Sequence, residues 1–241
     1  MPSTDRFAPP TDRSLGRTVA VLVGSWVVIC AVVVAVGWLI THPLQHVMAH
    51  ENGVNRWFAD QRTTGLTHVA DVGTFLGQTI TGLVVLALLG IGFAIWKRTW
   101  WPLVFVAVLD GGIGVVYFAG THLDPRNRPP VHILQSGLVP DHSFPSGHTG
   151  TATAAAGALV ALLWAYTRVA RGLLTVLVVV PVLTMVSRLY EGAHHVSDVL
   201  TAFVAALVWL VVCARLLLPA RTTTGTSAGD TSAVSRPAAT H

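Results

Sequence analysis

The sequence is short of charge. Of its 241 residues only 11% are Asp, Glu, Lys or Arg against 52% hydrophobic, and its mean hydropathy is +0.62. A soluble domain carries roughly 25% charged residues, so a water-soluble globule is excluded. Lysine is nearly missing, with Lys97 alone beside fourteen arginines. Cysteine is scarce too. Cys30 and Cys213 lie in separate apolar runs without metal-ligand spacing, and they read as small core residues. No Gly-rich nucleotide-binding loop and no internal repeat occur. The formal charge of +4 and the pI near 9.7 arise from scattered bases, which excludes a nucleic-acid-binding surface.

What the sequence has is long apolar runs. Six of them, Thr18–Ile40, about Thr74–Trp96, Trp101–Thr121, Gly147–Thr167, Leu173–Tyr190 and Val196–Leu218, approach or exceed the roughly 18 residues that cross a bilayer. The expected fold is all-α: a polytopic membrane protein with a bundle of six transmembrane helices over residues 17–218. Residues 1–16 and 219–241 are too polar and small to bury a core and are expected to be disordered cytoplasmic tails. The first run exceeds the about 7–15 residues of a secretory apolar region and is expected to be retained.

Basic residues accumulate on the cytoplasmic side of membrane proteins. Ten of the fifteen, including Arg6, Arg13, Arg17, Lys97, Arg98, Arg168 and Arg171, fall on the N-terminal side. Both termini are therefore expected in the cytoplasm. The opposite face holds Arg56, Arg62, Arg126, Arg128 and Arg188. The first outer loop, Thr41 to about Gly73, mixes Leu44, Val47, Trp57 and Phe58 with polar residues, as a helix lying in the interface does. His42, His46 and His50 share a helical spacing there, but Pro43 disturbs the helix and no further ligand is evident. They read as a polar face, and no metal or other cofactor is expected. Trp96, Trp100 and Trp101 read as an interfacial belt.

Three polar islands interrupt the apolar chain at the outer helix ends: Thr121–Pro130, Ser143–Thr149 and Ser187–Asp198. In the expected topology they meet at one depth on one side of the bundle. Arg128 and Arg188 carry planar, permanently charged forks that match phosphate oxygens two at a time. Pro145-Ser146-Gly147-His148 opens a helix, so first-turn amides and the Ser146 hydroxyl can close on the same anion, with Gly147 permitting close approach. His194 and Asp198 stand four residues apart, within reach across a helical turn or a helix start. A carboxylate accepting from one imidazole nitrogen leaves the other free to attack, so His194 reads as the nucleophile and Asp198 as its orienter. His148, on another element, reads as the acid that protonates the leaving group and then activates water.

This arrangement resembles the type 2 phosphatidic acid phosphatase superfamily, with motifs Lys-x6-Arg-Pro, Pro-Ser-Gly-His and Ser-Arg-x5-His-x3-Asp. The second stands complete as Pro145, Ser146, Gly147 and His148, the third as Ser187, Arg188, His194 and Asp198. In the first, Arg128-Pro129 is present while Thr121 occupies the lysine position, and His122 or Arg126 are candidates to support the phosphate in its place. The motif-bearing part is about residues 66–218.

The resemblance implies a six-helix membrane phosphatase that hydrolyses a lipid phosphate or diphosphate without metal, through a phosphohistidine. It assigns phosphate binding to Arg128, Arg188, Ser146 and Gly147, acid catalysis to His148, attack to His194 and support to Asp198. Candidate substrates are an isoprenoid diphosphate carrier, phosphatidic acid or phosphatidylglycerol phosphate, held in the bilayer at the extracytoplasmic face. The competing readings are a catalytically weak relative and an anionic-lipid transporter or binding protein. Asp110, inside the third run, is an intramembrane acid and hence a functional candidate outside this set.

Overall fold

A computed structural model describes residues 14–167 and 178–219. Among these residues the chain is helical without strands: α1 (Leu15–Thr41), α2 (Gln45–Met48), α3 (Glu51–Asp60), α4 (Thr64–Gly77), α5 (Thr79–Lys97), α6 (Trp101–Leu123), α7 (Gly147–Tyr166), α8 (Val179–Tyr190) and α9 (Val196–Leu217). Five of them, α1, α5, α6, α7 and α9, are long and apolar enough to cross a membrane. The all-α membrane fold is as expected.

Two boundaries differ from the sequence reading. The run read as one span from about Thr74 to Trp96 is two helices, since Gln78 adopts an extended conformation (ψ 141°) between α4 and α5. Packing is close at this point: a side chain at Gly77 would meet the His148 carbonyl oxygen at 2.8 Å. Helix α4 therefore ends against α7 and α8, while α5 packs on α6 and α7. At the N-terminus α1 starts inside the stretch read as tail, because the Ser14 hydroxyl accepts from the Arg17 amide at 3.4 Å and caps it. The fifth expected span, Leu173–Tyr190, is helical from Val179. Its earlier part, like residues 1–13 and 220–241 of the expected tails, lies outside the described residues.

Helix α7 is the hub, touching α4, α5, α6, α8 and α9. Its buried positions are small: Ala152, Ala154, Ala155 and Ala158 let neighbouring backbones approach where no water-driven collapse operates between helices. Phe105, Leu109, Phe144, Leu162 and Cys213 fill the centre. By contrast α1 offers one stripe, Leu22, Ile29, Val33, Gly37 and Ile40, to the bundle and leaves Val19, Val23, Val27 and Val28 exposed to lipid.

The pair α4 and α8 matters most for the site, since α8 carries Arg188. They touch through Gly73, whose backbone lies against Ser187 and the Leu183 carbonyl, and Thr184 donates to the Gly73 carbonyl at 2.8 Å. Overpacking costs typically about 1–3 kcal/mol. Gly73→Val is expected to lower the thermal midpoint of the detergent-solubilised protein by that much stability, whereas Gly92→Val, at an open position, leaves it unchanged.

Candidate active site

The site lies where the C-terminal ends of α6 and α8 meet the N-terminal ends of α7 and α9, under the loop from Asp124 to Ser146. Two stretches of that loop are zipped together: the Arg126 amide donates to the Asp141 carbonyl at 2.8 Å and the Ser143 amide to the Arg126 carbonyl at 3.0 Å. Beneath it is a cavity of about 310 Å³, with Arg128, His142, Gly147, His148 and His194 on its walls. The two histidines expected to share a phosphoryl group therefore share one chamber. Gly147 and His148 open α7, so their amides have no partner carbonyl within the helix.

His194 is 3% exposed. Its Nδ1 is 2.7 Å from the Ser143 carbonyl oxygen, but 3.9 Å from Asp198. A carbonyl can only accept, so Nδ1 carries the proton and the lone pair of the neutral imidazole sits on Nε2. The expected direct pairing of His194 with Asp198 is thus replaced by a relay through Ser143. Asp198 is fully buried and accepts from the Ser143 hydroxyl (2.6 Å), the His195 amide (2.7 Å), His195 Nδ1 (3.2 Å) and Arg126 (2.5 Å). Those donors occupy its lone pairs. Asp198 therefore fixes Ser143, and Ser143 fixes the tautomer of His194. Gly192, with a φ of 72°, makes the turn out of α8 that brings His194 under the loop.

Arg188 is completely buried. One edge is tied down: Nη1 donates to Glu191 at 2.5 Å and to the Thr74 hydroxyl at 3.2 Å, and that hydroxyl donates to Glu191 at 2.6 Å. Among the described residues its Nε and Nη2 have no partner, and neither does His148 Nε2, although all three are buried. A buried polar group left unpaired costs about 1–3 kcal/mol, so such atoms mark a place built for a ligand. Arg188 stands behind the cavity wall, and its charge acts on both histidines. Arg128 lies on the wall. It donates to the carbonyls of Val139, Ala193 and His142 at 2.9, 2.7 and 3.0 Å, which leaves two of its five N–H groups for a ligand.

The remaining sequence candidates fall elsewhere. Ser146 caps α7, accepting from the Thr149 amide and hydroxyl at 3.4 and 3.1 Å, and its own amide donates to the Asp198 carbonyl at 3.2 Å. The Thr121 hydroxyl is spent on the Tyr117 carbonyl of its own helix at 2.9 Å. His122 is exposed, with its ring stacked on Phe118. Arg126 serves Asp198, Ser197 and Glu51 and lines a different cavity behind the loop. None of these last three residues reaches the chamber of the two histidines.

The sequence reading missed several groups. Glu51 of α3 bridges Arg126 and Ser197. Asn55, fully buried on the same helix, donates to the His194 carbonyl at 2.9 Å and holds the backbone of that residue. Their only sequence signal was two polar residues four apart on an amphipathic loop helix. Glu191 was more legible, three residues after Arg188 in the register of an ion pair.

An all-helical membrane chain with a buried cavity of basic groups falls, by fold and chemistry, among the membrane phosphatases, hydrolases of phosphate esters or anhydrides. Residues 99–221, just over half of the chain, match the family model described as PAP2 superfamily, and the chain belongs to that superfamily. Its fold is similar to that in the crystal structure of the first transmembrane PAP2 type phosphatidylglycerolphosphate phosphatase from Bacillus subtilis. The TM-score is 0.62 at 22% identity, over 81% of this chain and 93% of that one. Comparison with curated proteins finds no match.

Two outcomes follow from this geometry. Arg126→Met strands the buried Asp198 carboxylate, and losing one partner of a buried ion pair costs about 3–5 kcal/mol. The variant is expected to unfold at lower temperature in detergent and to lose activity through kcat. The second concerns pH. Burial first, and then the nearby Arg188, hold the His194 imidazole well below its ordinary value of 6.5, with Asp198 opposing. The unfolded chain therefore binds a proton that the folded chain refuses. Stability contributed by the neutral ring is present above pH about 6.5 and is lost as pH falls toward the depressed value. In kcat/KM, the acid limb due to His194 should lie below pH 6.5, which a pH-rate profile checks.

Proposed function

We propose that this chain hydrolyses a membrane lipid phosphate or diphosphate through a phosphohistidine at His194, on the extracytoplasmic face. The observation that carries the reading is the set of buried, unpartnered groups, Nε and Nη2 of Arg188 and Nε2 of His148, beside a nucleophile whose tautomer is already fixed. Phosphate oxygens satisfy the guanidinium edge, and Arg128 and the first amides of α7 complete the cradle. The excess of basic residues on the N-terminal side supports placing both termini in the cytoplasm and the site opposite them.

In the first step the lone pair on His194 Nε2 forms a bond to phosphorus as the bond to the leaving oxygen breaks. His148, protonated beside the bound phosphate, gives its proton to that oxygen. In the second step water attacks the phosphorus, loses a proton to His148, and the phosphorus–nitrogen bond breaks back to His194. Developing charge on the phosphoryl oxygens is met by groups already in place, which is the largest lever available to such a site. No step calls for a metal.

A binding-only reading has one observation in its favour. The Thr121 hydroxyl is consumed by its own helix, so no cation stands at the position where the family motif has lysine.

One experiment separates the readings: phosphate release from a panel of lipid phosphates by the purified protein in detergent, with and without chelator. Wild type is expected to be active with chelator present. His194→Ala should reduce release to background, and His148→Ala should cost about 10²–10⁴-fold. A base-stable, acid-labile phosphate label should form on wild type and not on His194→Ala. Release that persists unchanged in His194→Ala overturns the mechanism, and an inactive wild type favours the binding protein.

A further inference from the structure

The catalytic cavity extends further into the membrane than phosphate chemistry requires. Its walls continue from Tyr117 and Gly147 to Ile113, Thr151, Leu83 and Asp110. Two contacts set the register of α6 on α7. A side chain at Gly147 would meet the Tyr117 ring at 3.1 Å, and one at Gly150 would meet Ile113 at 3.1 Å. The helices therefore run antiparallel along the cavity. At 1.5 Å per residue, Asp110 sits roughly 10 Å deeper than Tyr117. It makes no hydrogen bond or ion pair among the described residues, and its surroundings are otherwise apolar apart from the Thr79 and Thr151 hydroxyls. Leu83, on the same wall, is 47% exposed, so this end of the cavity borders the lipid-facing surface.

An acid inside a membrane span is costly and is kept where it meets a partner. Helix packing does not supply one here. The close approach nearby belongs to Gly112, which lies against Trp209, whereas Gly111 and Gly114 have open space beside them. What faces Asp110 is the cavity. A lipid whose phosphorus lies between His148 and His194 places its backbone, the few bonds next to the phosphate ester, at that depth.

Resting on the function proposed above, we propose that Asp110 forms a second polar subsite, which accepts a hydrogen bond from a hydroxyl or ammonium group in the backbone of the lipid phosphate. A carboxylate there also repels a second phosphate. The preferred substrate is thus a phosphate monoester of a lipid with a donor close to the ester, and an isoprenoid diphosphate is disfavoured.

The test uses the full-length protein in mixed micelles, with four single-chain probes at equal surface mole fraction. Octadecyl phosphate has no donor, oleoyl lysophosphatidic acid has a hydroxyl, sphingosine 1-phosphate has a hydroxyl and an ammonium, and farnesyl diphosphate has a second anion. Wild type is expected to favour the two donor-bearing probes over octadecyl phosphate by about tenfold in kcat/KM, the size of one charge-assisted hydrogen bond. Farnesyl diphosphate should be the poorest. Asp110→Leu should abolish the preference, bringing the two donor-bearing probes down to the kcat/KM of octadecyl phosphate. Asp110→Asn, which keeps an acceptor without the charge, should retain the hydroxyl preference and lose the ammonium one, and it serves where the leucine variant fails to fold. A wild type that does not discriminate, or variants that lower all four rates equally, overturns the subsite and leaves the phosphatase standing. A wild type inactive on every probe overturns the proposed function, and the subsite with it.

Discussion

The structure depends on a carboxylate that water never reaches. Asp198, at the third position of α9, gathers a guanidinium, a hydroxyl, an amide and an imidazole from three separate stretches of chain. Taking a charge out of water costs several kcal/mol, and only a complete set of donors offsets it. Because the donors come from the loop of residues 124–146 and from the start of α9, meeting that demand forces the loop down onto the helix ends. The same act presents the Ser143 carbonyl to His194 at 2.7 Å. Folding of the loop and orientation of the His194 ring are therefore one event, and its tautomer is set by backbone geometry instead of by a mobile side chain.

A parallel construction holds Arg188. A fully buried guanidinium with no acid beside it would be expelled or would destabilise the bundle, and Glu191 and Thr74 prevent that along one edge. The opposite edge keeps its donors. Anchoring one side of a planar fork fixes the direction of the other, so little side-chain entropy remains to be lost when an anion arrives. Glu191 lies one turn after Arg188, and Thr74 comes from α4, so the arrangement depends on the close contact of α4 and α8 at Gly73.

How much of this is legible in the sequence depends on the range of the interaction. The apolar runs and the two complete motifs are local patterns, and the helices α1, α5, α6, α7 and α9 and the shared chamber of His148 and His194 agree with them. The break at Gln78 has only a faint local signal, the polar step Gly77-Gln78-Thr79 in an otherwise apolar run, while the close packing of Gly77 on the His148 carbonyl joins positions more than sixty residues apart. The assignment of Asp198 to His194 failed in detail for a related reason. A spacing of four residues says that two side chains are near each other. It does not say which competing donor is nearer, and here Ser143, fifty-five residues before Asp198, takes that place. The roles of Glu51 and Asn55 required knowing that α3 lies against α8 and the turn that leads into α9, which only the tertiary fold specifies.

Thr121 shows how a substitution in a motif is read physically. A lysine at this place would send a long chain and a charge away from α6, while threonine turns back on the helix and bonds the carbonyls of Tyr117 and Phe118. The cation is not recovered nearby. Arg126, one turn past the helix end, is committed to Asp198, and His122 leans outward on Phe118. The positive charge at the cavity therefore comes from Arg128 and Arg188, with the first amides of α7 beside them. Those groups lie with the loop of residues 124–146 and at the ends of α8 and α7, and α6 contributes shape at Tyr117 and, further along the cavity, an acid. A cradle charged on one side and neutral to acidic on the other orients an amphiphile before any specific contact forms, because a phosphate and a donor-bearing backbone are drawn to opposite ends of the same cavity.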